Sequence, residues 1–129
     1  MEKLIDLPKI LDTRGNLTFL ENLKQIPFEI KKVHWTYDVP GGETRGGHAF
    51  RVQQEIIVAL SGSFDVVITD KSGEKRVYQL NRSYKGLYLP PLTWRHIENF
   101  STNSLSLHLC SENFSETDYI RDYEQFRQM

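Results

Sequence analysis

The sequence predicts an all-β fold: an antiparallel sandwich or barrel finished by one short C-terminal helix. Short apolar or alternating runs follow one another from Leu17 to Cys110, separated by clusters of glycine, proline, asparagine and aspartate. One run, Ile56 to Leu60, is apolar on both faces, as a strand inside a sheet must be. Helical periodicity is confined to the C-terminal end. There Tyr119, Ile120, Tyr123 and Phe126 share a helical face, and Ser115 with Asp118 matches a capping box.

The totals narrow the function classes. At 129 residues the chain predicts one domain, residues 1–129, with a core that needs no metal or disulfide staple. Lys+Arg (16) nearly cancel Asp+Glu (17), which leaves no basic footprint for nucleic acid or for an anionic membrane surface. Cys110 is alone, so there is no internal disulfide and no CxxC zinc spacing. The N-terminal residues carry no apolar leader and no stretch is long and apolar enough to span a bilayer, so a cytoplasmic protein is expected.

Taken in order, residues 4–7 form a short apolar run stopped by Pro8, suited to an edge or exchanged strand. Asp12 to Asn16 reads as a turn in which Gly15 accepts positive φ, and it leads into a strand from Leu17 to Leu20. Ile30 to Val39 places Val33, Trp35 and Tyr37 at period two, a strand with one aromatic face. Pro40-Gly41-Gly42 breaks it, and Arg45-Gly46-Gly47 reads as a second flexible stretch before His48. Phe64–Thr69 and Arg76–Leu80 flank the hairpin loop Asp70-Lys71-Ser72-Gly73. Gly86–Leu89, Trp94–Phe100 and Leu105–Cys110 complete the series.

Residue spacing then sharpens the fold class. Gly42, His48, Phe50, Glu55 and Gly62 fall at the places of the first cupin motif, and Pro90 to Asn99 resembles the second. The chain thus resembles the cupins, small jelly-roll β-barrels, with two chemical departures. Phe50 and Arg95 stand where that motif has metal-binding histidines, and neither a phenyl ring nor a guanidinium can ligate a cation.

Within the cupins, six blocks in chain order resemble the WxcM-like sugar-nucleotide 3,4-ketoisomerases. They are Asp12-Thr13-Arg14-Gly15, Arg45-Gly46-Gly47-His48-Ala49, Ser61-Gly62-Ser63, Gly86-Leu87-Tyr88, Pro91 to Trp94, and Glu116 to Tyr123. The resemblance implies a metal-independent reaction without cofactor: the keto group of a dTDP-4-keto-6-deoxyhexose moves from carbon 4 to carbon 3 through an enediol. It also implies a place in amino-sugar synthesis for bacterial surface polysaccharide, and a homodimer with exchanged N-terminal strands, a role that residues 4–7 would fit.

By the same resemblance His48 is the general base, a group whose free pKa of about 6.5 lets it take and return a proton near neutrality. Arg14 and Arg45 are expected near the diphosphate, Arg95 near the sugar, and Tyr37 as a further substrate contact. His34 and His108 have no partner visible in the sequence and read as structural, and Cys110 reads as a small buried residue. Two other readings stand beside this one. A dTDP-sugar 3,5-epimerase also presents an Arg-Gly-x-His stretch. A non-catalytic nucleotide-sugar-binding cupin is favoured by Phe50, which occupies the place of the second histidine of His-Ala-His.

Overall fold

The computed structural model describes all 129 residues. Two five-stranded antiparallel sheets carry the architecture. The first runs, edge to edge, through β1 (Lys3–Asp6), β9 (Lys85–Leu89), β6 (Glu55–Ser61), β11 (Leu105–Cys110) and β4 (Lys32–Thr36). The second runs through β12 (Tyr119–Ile120), β5 (Arg45–Phe50), β10 (Trp94–Glu98), β7 (Phe64–Thr69) and β8 (Lys75–Leu80). From β4 onward the chain crosses repeatedly between the sheets, the winding of a jelly roll. A small hairpin, β2 (Lys9–Ile10) with β3 (Leu17–Thr18), and a helix, α1 (Tyr123–Arg127), complete the fold.

Side-chain alternation decides what each face does. Ile57 and Ala59 of β6 point between the sheets and join Phe64, Val66, Ile68, Leu87, Leu89 and Ile97 in the main core. Ile56 and Val58, one residue out of phase, point outward and are covered by Leu7, Ile26 and Phe28 from the N-terminal segment. This is why Ile56 to Ala59 is apolar throughout: both faces are buried there, and only Leu60 at the end is exposed. On the outside of the second sheet, Ala49 and Trp94 pack with Ile120 and Phe126. Trp94 meets the Tyr123 and Phe126 rings at centroid distances of 5.4 and 5.8 Å, so this tryptophan anchors α1.

Three expectations are revised. Arg45-Gly46-Gly47 is not a flexible stretch but the first half of β5, paired with β10 through Arg95 opposite His48 and Ile97 opposite Arg45. The register shifts between Arg95 and Ile97, and Gly46 takes a φ of 81° there, so the glycine serves a bulge rather than a loop. The C-terminal helix is shorter than its periodicity suggests. The Asp118 carboxylate accepts from the Val52 and Gln53 amides (2.8 and 3.1 Å), and Arg51 donates to the Thr117 and Tyr119 carbonyls (3.0 and 3.1 Å). Those bonds hold Tyr119 and Ile120 extended against Phe50 and Ala49, and the helix begins only after Asp122, whose side chain caps it. The strands expected over Ile30–Val39 and Leu17–Leu20 contract to Lys32–Thr36 and Leu17–Thr18. The N-terminal run forms the edge strand expected of it: β1 pairs with β9, Leu4 opposite Leu87, and buried Glu2 clamps its start through Arg76 and Tyr78.

Gly62 closes the β6–β7 hairpin at a φ of 67°, and a Cβ there would lie 2.4 Å from Ser101 Oγ and 2.8 Å from Ser104 Cα. Gly62→Ala is therefore expected to lower stability by about 2–4 kcal/mol in urea titrations, strain and overlap acting together.

Candidate active site

At one end the two sheets part and enclose a cavity of about 590 Å³. The first sheet contributes His34 and Thr36 from β4, Glu55 from β6 and His108 from β11. The second contributes Arg45, His48 and Phe50 from β5 and Arg95 from β10, and Phe114, Tyr119 and Arg121 close one side. Each strand residue is there because its parity points it inward. Val33, Trp35 and Trp94 have the opposite parity and face away.

The floor is a buried charge network that ties the sheets together. Glu55, 3% exposed, places Oε2 2.6 Å from His108 Nδ1 and Oε1 3.2 Å from Arg95 Nη1. Gln53 Nε2 adds a donor at 3.3 Å. Burial alone would raise the Glu55 carboxyl, but the His108 hydrogen bond and the Arg95 charge outweigh it and hold the group well below the usual carboxylate range. An ionised carboxylate only accepts, so His108 Nδ1 carries a proton, while its Nε2 lies 2.9 Å from the Ser106 hydroxyl. Arg95, 2% exposed, donates Nε to the Thr93 carbonyl (3.0 Å) and Nη1 to Glu55, and its buried Nη2 has no partner. Desolvation pulls its guanidinium below the ordinary value, with Glu55 opposing.

His48 is half-buried, its ring edge-on to Phe50 (4.8 Å) and Tyr119 (5.2 Å). Desolvation, and then the charge of Arg95, push its pKa down to about 3, so the imidazole is neutral at physiological pH. His34 stacks on His108 at 4.4 Å, and desolvation followed by the His108 charge lowers it to about 4. Phe50 fills the space between His48, Tyr119 and Arg95, whose guanidinium lies 5.1 Å from its ring centre.

Of the residues singled out from sequence, the fold brings His48, Arg45 and Arg95 to the cavity. Arg14 lies elsewhere, on the β2–β3 hairpin, exposed and paired with Asp12 at 2.8 Å. Tyr37 lies beyond the end of β4, 62% exposed. Conversely, His34, His108 and Glu55 form one group whose ligating atoms lie within 4.8 Å of one another. Only period-two counting from Lys32 and Ser106 could have hinted at the shared inward face of the two histidines. Such a group invites comparison with a metal centre, but its chemistry fits poorly. Both nitrogens of His108 are engaged, and a permanent cation already holds Glu55. Cys110 is fully buried and its thiol is pushed up to about 12 by desolvation, which removes it as a nucleophile.

The whole chain, residues 1–129, matches the family model described as FdtA: WxcM-like, C-terminal. The chain belongs to this family. It is 38% identical over 125 residues to the TDP-4-oxo-6-deoxy-α-D-glucose 3,4-oxoisomerase of Aneurinibacillus thermoaerophilus, covering 97% of this chain and 89% of that one. QdtA, a sugar 3,4-ketoisomerase from Thermoanaerobacterium thermosaccharolyticum solved with TDP, superposes with a TM-score of 0.95 at 35% identity, over 98% of this chain and 92% of its own. WlaRB, a TDP-quinovose 3,4-ketoisomerase from Campylobacter jejuni, gives 0.93 at 36% identity, over 99% and 98%. A dTDP-4-dehydrorhamnose 3,5-epimerase from Bacillus anthracis shares the fold at a TM-score of 0.79 but only 20% identity. The cupin jelly roll is thus the fold of this chain and of its family relatives, and the epimerase reading gains nothing beyond that fold.

The pKa shifts carry a stability consequence. His34 and His48 titrate lower folded than unfolded, so below pH 6.5 the unfolded chain binds protons that the folded chain refuses, and stability falls. Urea titrations are expected to show stability declining from pH 7 to pH 5, with a shallower decline in His48→Asn.

Proposed function

We propose that this chain is a sugar-nucleotide 3,4-ketoisomerase acting on a TDP-linked 4-keto-6-deoxyhexose, with residues 1–129 working as one catalytic unit. The observation that carries the assignment is the neutral His48 imidazole sharing a cavity with the unpartnered Nη2 of Arg95. Family membership supplies the reaction class, and these two side chains supply chemistry suited to it.

The C3–H proton of the substrate is acidified by the C4 carbonyl. His48, uncharged and able to accept, takes it, and the electron pair left behind forms the C3–C4 double bond of an enediol. Negative charge develops on oxygen during this step. The Arg95 guanidinium, rigidly held through Nε and Nη1, can offer Nη2 to that oxygen without reorganising. The diphosphate is met by Lys32, Arg45 and Arg121 at the cavity mouth, an excess of cations over the single buried carboxylate of Glu55. These cations matter twice. They hold the nucleotide, and its negative charge in turn offsets the field that depresses His48, raising the affinity of the base for a proton in the complex. Return of the proton to C4 leaves the ketone at C3.

Phe50 does not remove the reaction from this site, because the base and the oxyanion donor are in place without it. The surface also supports a homodimer. Val33 and Trp35 on the outer face of edge strand β4, with Tyr37 just beyond its end, form an exposed apolar row. A second copy of the chain covers this face, since a matching apolar stripe is what an isologous interface requires. Exchange of residues 4–7 would preserve the β1–β9 hydrogen bonds with the strand of a second copy in place of its own. No helix is long and apolar enough to cross a membrane.

Proton NMR with dTDP-4-keto-6-deoxyglucose is expected to show conversion to the 3-keto isomer, and His48→Asn to reduce it at least a thousandfold. Inversion at carbon 5 would instead identify an epimerase, and line broadening without conversion a binding protein. Light scattering is expected to give twice the 15.1 kDa chain mass, and Trp35→Glu to give the single-chain mass.

A further inference from the structure

Moving a ketone from C4 to C3 relocates protons on oxygen as well as on carbon. O4 gains a proton as its carbonyl becomes a hydroxyl, and O3 loses one as its hydroxyl becomes a carbonyl. His48 accounts for the carbon protons, and Arg95, permanently charged, can stabilise an oxyanion but not exchange a proton with it. The reading of the site as a ketoisomerase therefore leaves the oxygen-side proton without a carrier.

We infer that His34 carries it: an imidazole on the cavity wall opposite His48 that gives a proton to O4 and recovers one from O3. Three features of the fold place it there. First, His34 lies on β4 in the first sheet, whereas His48 lies on β5 in the second, and both line the same cavity. Second, its ring is held parallel to that of His108, at 4.4 Å and 7°, and His108 is itself fixed at both nitrogens by Glu55 and Ser106. Third, His34 Nδ1 lies 3.9 Å from the Cys110 Sγ. Burial keeps the Cys110 thiol protonated; with its S–H turned to Nδ1, the N–H of a neutral ring sits on Nε2, which has no protein partner. A neutral histidine polarising an enediol oxygen is chemically sound, because its N–H is a better matched acid for an alkoxide-like oxygen than an imidazolium would be.

The step balances without any other reagent. As the C3–H proton passes to His48, the C4–O π pair takes the Nε2 proton of His34, giving the enediol. Then the O3–H proton returns to Nε2, the O3–H pair becomes the C3 carbonyl, and the C3–C4 π pair takes the proton from His48 at C4. His108, Glu55 and Cys110 are positioning residues in this scheme. Tyr119 is less suited, because it stands on the His48 side, 5.2 Å from that ring, with its phenol raised by burial.

The test is conversion of dTDP-4-keto-6-deoxyglucose in deuterium oxide by wild type, His34→Gln and His34→Phe. His34 is exposed toward the cavity on an edge strand, so both variants are expected to keep the wild-type circular dichroism and TDP affinity. In both, formation of the 3-keto product is expected to fall about 100-fold with KM nearly unchanged. Deuterium incorporated at C3 of recovered substrate, relative to product, is expected to rise at least tenfold, since His48 still removes the C3 proton and the intermediate returns. A purely structural role would lower exchange and product together, and that result, or an unchanged kcat, would overturn the inference. If wild type itself gives neither exchange nor product, the ketoisomerase reading fails first and takes this one with it.

Discussion

The structure depends on one buried carboxylate. Glu55, on the central strand of the first sheet, is shared between His108 of its own sheet and Arg95 of the other. A lone carboxylate at that depth would be protonated or expelled, and a lone guanidinium would be costlier still. Together they neutralise each other across the gap between the sheets, where the apolar core gives way to the cavity. The network therefore links architecture to chemistry: it lets the sheets part and stay polar inside without collapsing or flooding. It also sets the local field. Arg95 is held rigid with one N–H unshared, and its charge helps keep His48 in the neutral form that a base requires.

The position of Phe50 makes sense against this network. A second histidine there would bring another titratable ring beside Arg95, within a wall that already depresses His48. A phenyl ring instead gives the guanidinium a face to lie over, at 5.1 Å, and gives His48 an apolar edge. The polarity lost from that wall reappears on the opposite one, where His34 and His108 stack above Glu55. The chain keeps a cavity with several proton-handling groups but distributes them between the two sheets.

Around the cavity, the layers are held by covers of different kinds. The N-terminal segment lays Leu7, Ile26 and Phe28 over the outer face of the first sheet, while α1 and β12 cover the second through Phe126 and Ile120. The uncovered part, the aromatic row on β4, lies back to back with His34 and Thr36. A partner seated on that row would bear on the strand that carries one cavity wall.

Much of this was legible in the sequence because it is local. Alternating patterns marked the strands, turn residues marked their ends, and Arg45-Gly-Gly-His48 with the Glu116–Tyr123 block carried the family. What sequence could not reach was whatever depends on pairing across the fold. His34 and His108 are 74 residues apart and look like unpartnered strand histidines until β4 and β11 bring them into register directly opposite each other. Tyr119 and Ile120 follow a helical period, yet tertiary hydrogen bonds from Arg51 and to Asp118, with pairing to β5, pull them into a strand, because tertiary contacts outweigh a weak local preference. Arg14 and Tyr37 carry suitable chemistry in suitable motifs, but a hairpin tip and the end of an edge strand set them apart from the cavity of a single chain. Sequence by itself determined the kind of fold, the family and the histidine at its centre. Only the tertiary structure decided which charges share the cavity with that histidine, because parity and register, not spacing along the chain, choose the residues that meet inside a barrel.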